Sequence, residues 1–462
     1  MNNLSLELLE LIAANRCLSP KDKANLCQVN HVFYATIAHL LYKHIMINNP
    51  RQYLLLKDAM KNKSLAHLVH RLDFSSYTTR GSRWTEEKAK SIIVADELAD
   101  LIGGCDQLKE LFVGEEMMHT FVSPKVIRSI FSHQSGLRTI DFTGFCDRSF
   151  TTVMADFFKP VSLTKLERLA LEKGEQGEHV QQEQAEPLEL STWSVPRKLK
   201  NISFYMCMAL SQEHFFVPFF DKIRTSGNQL TRLDLAYTQI TSSLFAHLQS
   251  TTTLTHLNLQ GCHSLSCCSP LISFLQNNCN QLIELNLNMD FNGIGGSRFC
   301  HDCIMKILKS TNPAIQSLDM GGHTNFDDLV LTKMIGQQHF SQLRQFSAAY
   351  CRNITLEALE RFLVDLPNLF YLNLARTPLT IDLSCLPRVL SRLSKKIKVI
   401  EISPFTPKRY PAQLSTWKLS SQGRRTYYSR DSVDPKFVYS KKMLMLNDQM
   451  LSPMNKYWCY SY

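Results

Sequence analysis

A six-residue pattern, apolar-x-x-apolar-x-apolar, returns along most of this 462-residue chain. It reads VHRLDF from Val69, LKELFV from Leu108, LRTIDF from Leu137, LERLAL from Leu166, LKNISF from Leu199 and LTRLDL from Leu230. It continues as LTHLNL from Leu254, LIELNL from Leu282, IQSLDM from Ile315, LRQFSA from Leu343, LFYLNL from Leu369 and IKVIEI from Ile397. Twelve starts between Val69 and Ile397 give a mean step of about 30 residues. Alternation inside each hexamer is that of a short strand, which sends every second side chain inward. Intervening segments such as TLEALERFLVDL place Leu356, Leu359, Phe362, Leu363 and Leu366 at helical spacing. A strand and its returning helix cannot cover their own apolar face, so such units must stack into a curved α/β solenoid.

The 14 cysteines follow from the same period. CHSLSCC, Cys262 to Cys268, crowds three cysteines and a histidine, which invites a metal reading. Yet Cys262 stands eight residues after Leu254, as Cys207 does after Leu199 and Cys351 after Leu343. Cys105 and Cys279 each precede a strand leucine by three residues. A buried thiol there packs as a small hydrophobe and donates weakly to the turn backbone. Tetrahedral zinc needs four converging ligands, which this period does not bring together. Cys300-His-Asp-Cys303 is a single CxxC at the head of a helix with no second ligand pair beside it. The expectation is therefore no metal and no cofactor. CNQLIELNL and AAYCRNITLEAL are similar to the cysteine-containing leucine-rich repeats. That resemblance spans about residues 65–403 and implies a right-handed horseshoe, with parallel strands on the concave side and helices outside. Residues 172–189, with six Glu and one Lys, read as an acidic loop within it.

Residues 4–48 lack the pattern. Ser19-Pro20 suits a helix start and Asp22 its first turn. Leu26, Val29, Phe33, Ile37 and Leu40 then form one apolar stripe. A segment this short wants a partner surface. That surface is either the first repeat, which the segment would cap, or another protein. The segment resembles an F-box, in its apolar-x-x-Glu-Leu-Leu start, in Leu-x-x-Val-Asn-x-x-Phe from Leu26 to Phe33, and in Leu-Leu-Tyr from Leu40 to Tyr42. Ser5 stands where that family usually has Pro. The resemblance implies a substrate-recognition receptor of a Skp–cullin–F-box ubiquitin ligase. Leu4, Leu8, Leu9, Ile12, Leu26, Val29 and Phe33 would face the Skp adaptor or the F-box core. The repeats would hold a protein substrate. The alternative is a repeat scaffold or inhibitor that acts without a ligase.

The division expected is an F-box-like unit at 1–48, a linker or cap at 49–64, repeats at 65–403 and a C-terminal cap or tail at 404–462. Strand x positions offer Arg232, His256, Glu284, Arg344, Phe370 and Tyr371 to a substrate, the aromatics as anchors. No phosphate loop, nucleophile elbow or paired metal motif is present, so no enzyme is expected. No apolar run approaches membrane-span length. With no leader-like start, reduced thiols in cytosol or nucleus are the expectation. Of the net charge of +10, ten Lys/Arg and three Asp after Ile402 supply +7. That segment also holds eleven aromatic residues. TWKLSSQGRRTYYSR there reads as a hairpin and KFVYS as a third strand. No nucleic-acid motif accompanies them.

Overall fold

In a computed structural model the described residues are 5–15, 18–79, 86–134, 136–146, 148–158, 193–248, 253–267, 269–289, 299–336, 339–403, 410–422 and 425–430. Among them, twelve short strands pair in chain order, each parallel to the next. They are β1 (His44–Met46), β2 (Arg71–Asp73), β3 (Glu110–Phe112), β4 (Thr139–Asp141), β5 (Asn201–Ser203) and β6 (Arg232–Asp234). The row continues through β7 (His256–Asn258), β8 (Glu284–Asn286), β9 (Ser317–Asp319), β10 (Gln345–Ser347), β11 (Tyr371–Asn373) and β12 (Val399–Ser403). Helices and helical turns fill the returns, and the open sheet is that of a leucine-rich repeat solenoid.

Two details depart from the sequence pattern. The row opens at His44, one strand before the first hexamer, because β1 pairs with β2. And β4 bonds directly to β5, with Thr139 opposite Asn201. The hexamer at Leu166 and the acidic loop lie outside the described residues.

The central residue of each strand packs inward in register. Leu72, Leu111, Ile140, Ile202, Leu233, Leu257 and Leu285 lie side by side and are fully buried. Leu318, Phe346, Leu372 and Ile400 continue the column. Each such side chain contributes about 2 kcal/mol on leaving water.

The turn after each strand repeats as faithfully. The third strand residue caps it with its side chain: the backbone N–H of Ser75, Thr143, Ala236, Gln260, Asn288, Gly321 and Ala375 donates to Asp73, Asp141, Asp234, Asn258, Asn286, Asp319 and Asn373. This explains the recurrent Asp or Asn of the hexamer as an Asx turn. Three residues on, the chain takes a left-handed step at Gly144, Met206, Tyr237, Gly261, Gly322, Tyr350 and Arg376. That step aims backbone N–H groups at the following repeat, as from Tyr237 to the carbonyl of Gln260 (2.7 Å) and from Gly261 to that of Asn288 (2.7 Å). Gly261 is needed as well for space: with φ at +65°, a Cβ there would stand 2.4 Å from the Tyr237 ring.

One residue later comes the cysteine position. Cys207, Cys262 and Cys351 donate Sγ–H to the carbonyls of Phe142 (3.1 Å), Leu235 (3.1 Å) and Met320 (3.4 Å) of the preceding repeat. In the repeat of β9 His323 does the same work, its Nε2 donating to the Leu287 carbonyl at 2.8 Å. Burial pushes the Cys262 thiol up to about 12 and holds the His323 imidazole down at about 4.

At the far end β12 turns the row over to an antiparallel set: β15 (Arg425–Arg430), β14 (Trp417–Gln422) and β13 (Gln413–Leu414). Trp417 Nε1 donates to the Leu390 carbonyl (3.2 Å), with the Arg430 guanidinium 4.3 Å over its ring. This hairpin covers the last repeat. KFVYS lies outside the described residues. No helix among the described residues is long and apolar enough to cross a membrane.

Two stability measurements follow. Gly261→Ala should cost about 1–3 kcal/mol in urea unfolding, since both the left-handed φ and the Tyr237 ring oppose a Cβ; an unchanged midpoint would mean the ring moves aside freely. For His323 the folded value (about 4) lies below the free value of 6.5, so its contribution is complete above 6.5 and is lost as pH falls toward 4. His323→Cys, which restores the residue used in neighbouring repeats, should therefore remove about 2 kcal/mol of the stability loss between pH 7.5 and pH 5; an identical loss in both proteins would refute this.

Candidate partner-binding surfaces

Three helices precede the strand row: α1 (Leu6–Ala13), α2 (Pro20–Cys27) and α3 (His31–Tyr42). Each start is capped by a side chain. Ser5 Oγ accepts from Leu8 N (3.4 Å), Ser19 and Asp22 form a reciprocal capping box, and Asn30 accepts from Phe33 N (3.0 Å). Ser5 thus makes the entry turn with its hydroxyl. The three helices close a small core of their own from Leu9, Ala13, Phe33 and Ile37, with Leu26 and Leu40 packed at its edge. Glu10 and His39 tie α1 to α3 at 3.1 Å.

Helical phase now separates roles that sequence leaves together. Leu9 and Phe33 are buried core residues and Leu26 is half-buried. Leu8, Ile12 and Val29 are 50%, 49% and 58% exposed, and Leu11 on the same outer side of α1 is 74% exposed. Leu4 lies outside the described residues. Of the fifteen large apolar residues exposed in the described structure, six fall within the first 34 positions. That concentration makes the helical unit a candidate interaction surface.

On the concave side the substrate candidates divide. Arg232, His256, Glu284 and Tyr371 occupy equivalent first positions of their strands, so they lie on one row that opens with His44, Arg71 and Glu110. Arg344 and Phe370 stand one residue ahead of the row, where their carbonyls accept N–H groups of the next repeat. Phe370 and Tyr371 are half-buried, not exposed anchors, and the Tyr371 hydroxyl donates to the Glu401 carboxylate. Arg232 and Glu284 are nearly covered, at 9% and 6% exposure. Polar groups on the row already face one another: Arg71 reaches Asp73 of its own strand (2.7 Å) and Glu110 of the next (3.4 Å), and His256 stands 3.9 Å from Glu284. Asp141 behind the row is wholly buried, and burial raises its carboxyl from 3.8 to about 7 against the hydrogen bonds from Thr143.

Sequence spacing missed one assembly. Cys267, before the helix Ser269–Asn278, meets Cys300 and Cys303 at the head of the helix His301–Ser310 in the next repeat. The lone CxxC therefore has a third sulfur beside it, contrary to the expectation that the period keeps ligands apart. Cys300 N donates to Cys267 Sγ at 2.9 Å. The Cys300 thiol is held below its usual value by the Cys303 backbone N–H and then by the Cys267 thiol. Burial, then the neighbouring sulfurs, pushes Cys303 up to about 12. His301 turns away from the sulfurs to Asp327, at 2.7 Å.

No protein-family model matches the chain, and no curated protein sequence matches it. Among solved structures the chain is similar to the yeast Rad7–Elc1 complex, at TM-score 0.42 and 13% identity over 89% of this chain and 90% of that one. It is also similar to the internalin InlF of Listeria monocytogenes (TM-score 0.32, 11% identity, 67% and 83% covered). A third likeness is the leucine-rich repeat-containing protein LegL7 of Legionella pneumophila (0.35, 13%, 66% and 87%). Likenesses of this size say nothing of function.

The raised carboxyl of Asp141 gives a signed expectation. A folded value above the unfolded one favours folding below 3.8, and that advantage is lost as pH rises through about 7. Asp141→Asn keeps the bond from Thr143 N and removes the buried charge. It should gain on wild type by a few kcal/mol between pH 4.5 and pH 8.5 in chemical unfolding; a variant that instead falls behind wild type at pH 8.5 would show the carboxylate to be needed there.

Proposed function

We propose that this chain is the substrate-recognition receptor of a Skp–cullin–F-box ubiquitin ligase. In this reading the N-terminal helices dock on the Skp adaptor and the concave row of the repeats holds a protein substrate. The observation that carries it is the N-terminal unit. Its core is its own rather than a seam with the first repeat, and Leu8, Ile12 and Val29 face outward from it. A mere cap would spend that apolar stripe against the first repeat. Sequence adds the F-box resemblance and its order, F-box before repeats.

The chain supplies no catalytic group in this reading. It raises the concentration of the substrate beside a ubiquitin-loaded enzyme held elsewhere in the assembly, and proximity accelerates transfer. Ubiquitination and proteasomal degradation of the substrate would follow, in cytosol or nucleus.

The test is capture of a purified Skp adaptor by the full chain. Leu8→Asp with Val29→Asp places charge on the outer face without touching the small core. Adaptor affinity should fall by at least ~30-fold, the equivalent of about 2 kcal/mol of hot-spot energy, with the circular dichroism spectrum unchanged. Folded wild type that binds no adaptor would sink the proposal and favour a repeat scaffold acting without a ligase.

A further inference from the structure

Successive repeats are tied to one another at the level where their outer helices begin. Ser242 Oγ donates to the Ser266 carbonyl (3.1 Å) on one side, and Asn325 Nδ2 to the Phe299 carbonyl (2.8 Å) on the other. Between these two ties the contact is made of sulfur. The Sγ atoms of Cys267, Cys300 and Cys303 all lie within 4.8 Å of one another, brought there by two repeats. We propose that these three cysteines form a binding site for a single thiophilic divalent cation of the zinc class.

The geometry suits that ion. Zinc–thiolate bonds of about 2.3 Å set the sulfurs of a tetrahedral site ~3.8 Å apart. Side-chain movements of an ångström or less bring the three from their present spacing to that one. The donors are soft, which selects zinc-like ions over calcium or magnesium. A donor to sulfur is already in place: the Cys300 amide donates to Cys267 Sγ, and Cys300 stands at the head of a ten-residue helix with Cys303 in its first turn. Such N–H···S bonds orient ligands and tune the metal.

On binding, three S–H bonds give way to three S–metal bonds, and the protons leave to solvent. No electrons are transferred. The fourth corner is left to water or an added ligand, since the nearby His301 is engaged with Asp327. The ion would staple the repeat of β7 to that of β8. This site is independent of adaptor docking and stands whether or not the ligase reading holds.

The full chain should be reduced with a phosphine, stripped by chelation and titrated anaerobically with Co2+. One equivalent should give the intense visible bands and the sulfur-to-cobalt charge-transfer band of a tetrahedral thiolate site, and Zn2+ should displace it. Cys267→Ser, Cys300→Ser and Cys303→Ser should each weaken zinc by more than the ~10- to 100-fold that loss of a supporting hydrogen bond costs a metal site. A second measurement needs no variant. Zinc should protect these three thiols from alkylation, read by mass spectrometry, and leave Cys385 reactive. Reduced wild type with no charge-transfer band would overturn the proposal. So would zinc that protects none of the three, or a band undiminished in the triple serine variant. A Cys300–Cys303 disulfide in a protein that takes no metal once reduced would also overturn it, and make the cluster a redox pair.

Discussion

Everything in this protein depends on hydrogen bonds that no repeat can make alone. Each three-residue strand offers its amides and carbonyls to the strands on either side, and the turn that follows offers more. Tyr237 N reaches Gln260, Gly261 N reaches Asn288 and Gly322 N reaches Ala349, one repeat after another. Buried backbone groups left without such partners would be costly. The chain must therefore hold one register along the whole row and finish both ends. Among the described residues the row ends in an antiparallel hairpin, sealed by Trp417 and Arg430. The row begins directly behind α3, whose Tyr42 precedes β1 by a single residue.

This dependence explains what was legible in sequence. The hexamer marks strands because its apolar positions are the inward column from Leu72 to Ile400. Its Asp and Asn mark turns because they cap them. Cys207, Cys262 and Cys351 mark the carbonyl that each turn must satisfy in the repeat before. Strand β1 escaped notice because its hexamer, YKHIMI from Tyr42, starts on the residue that closes α3.

The cysteine cluster, and the division of roles within the N-terminal helices, were hidden by a different cause. Spacing along a chain predicts proximity only within one unit. Cys267 follows the start of β7 by eleven residues and Cys300 follows that of β8 by sixteen. Unequal loops bring unequal positions to the same height, and no period reveals it. In the N-terminal unit the difficulty is phase. Leu8 and Leu9 are adjacent in sequence and equally apolar, but they sit about 100° apart around α1. One closes the core and its neighbour faces solvent, and only the placement of α3 against α1 decides which.

Any recognition on the concave face would be constrained by the same turn chemistry. Asp234, Asn258, Asn286, Asp319 and Asn373 each give one oxygen to their own turn. On the row of first strand positions Arg71, Glu110, His256 and Glu284 are already set against one another and Tyr371 against Glu401. A partner there gains little from bare charge, since it must better an arrangement that is satisfied without it. Selectivity on such a surface comes from matching a fixed pattern of donors and acceptors over several repeats at once. A rigid, registered row is suited to supply that, and a loop is not.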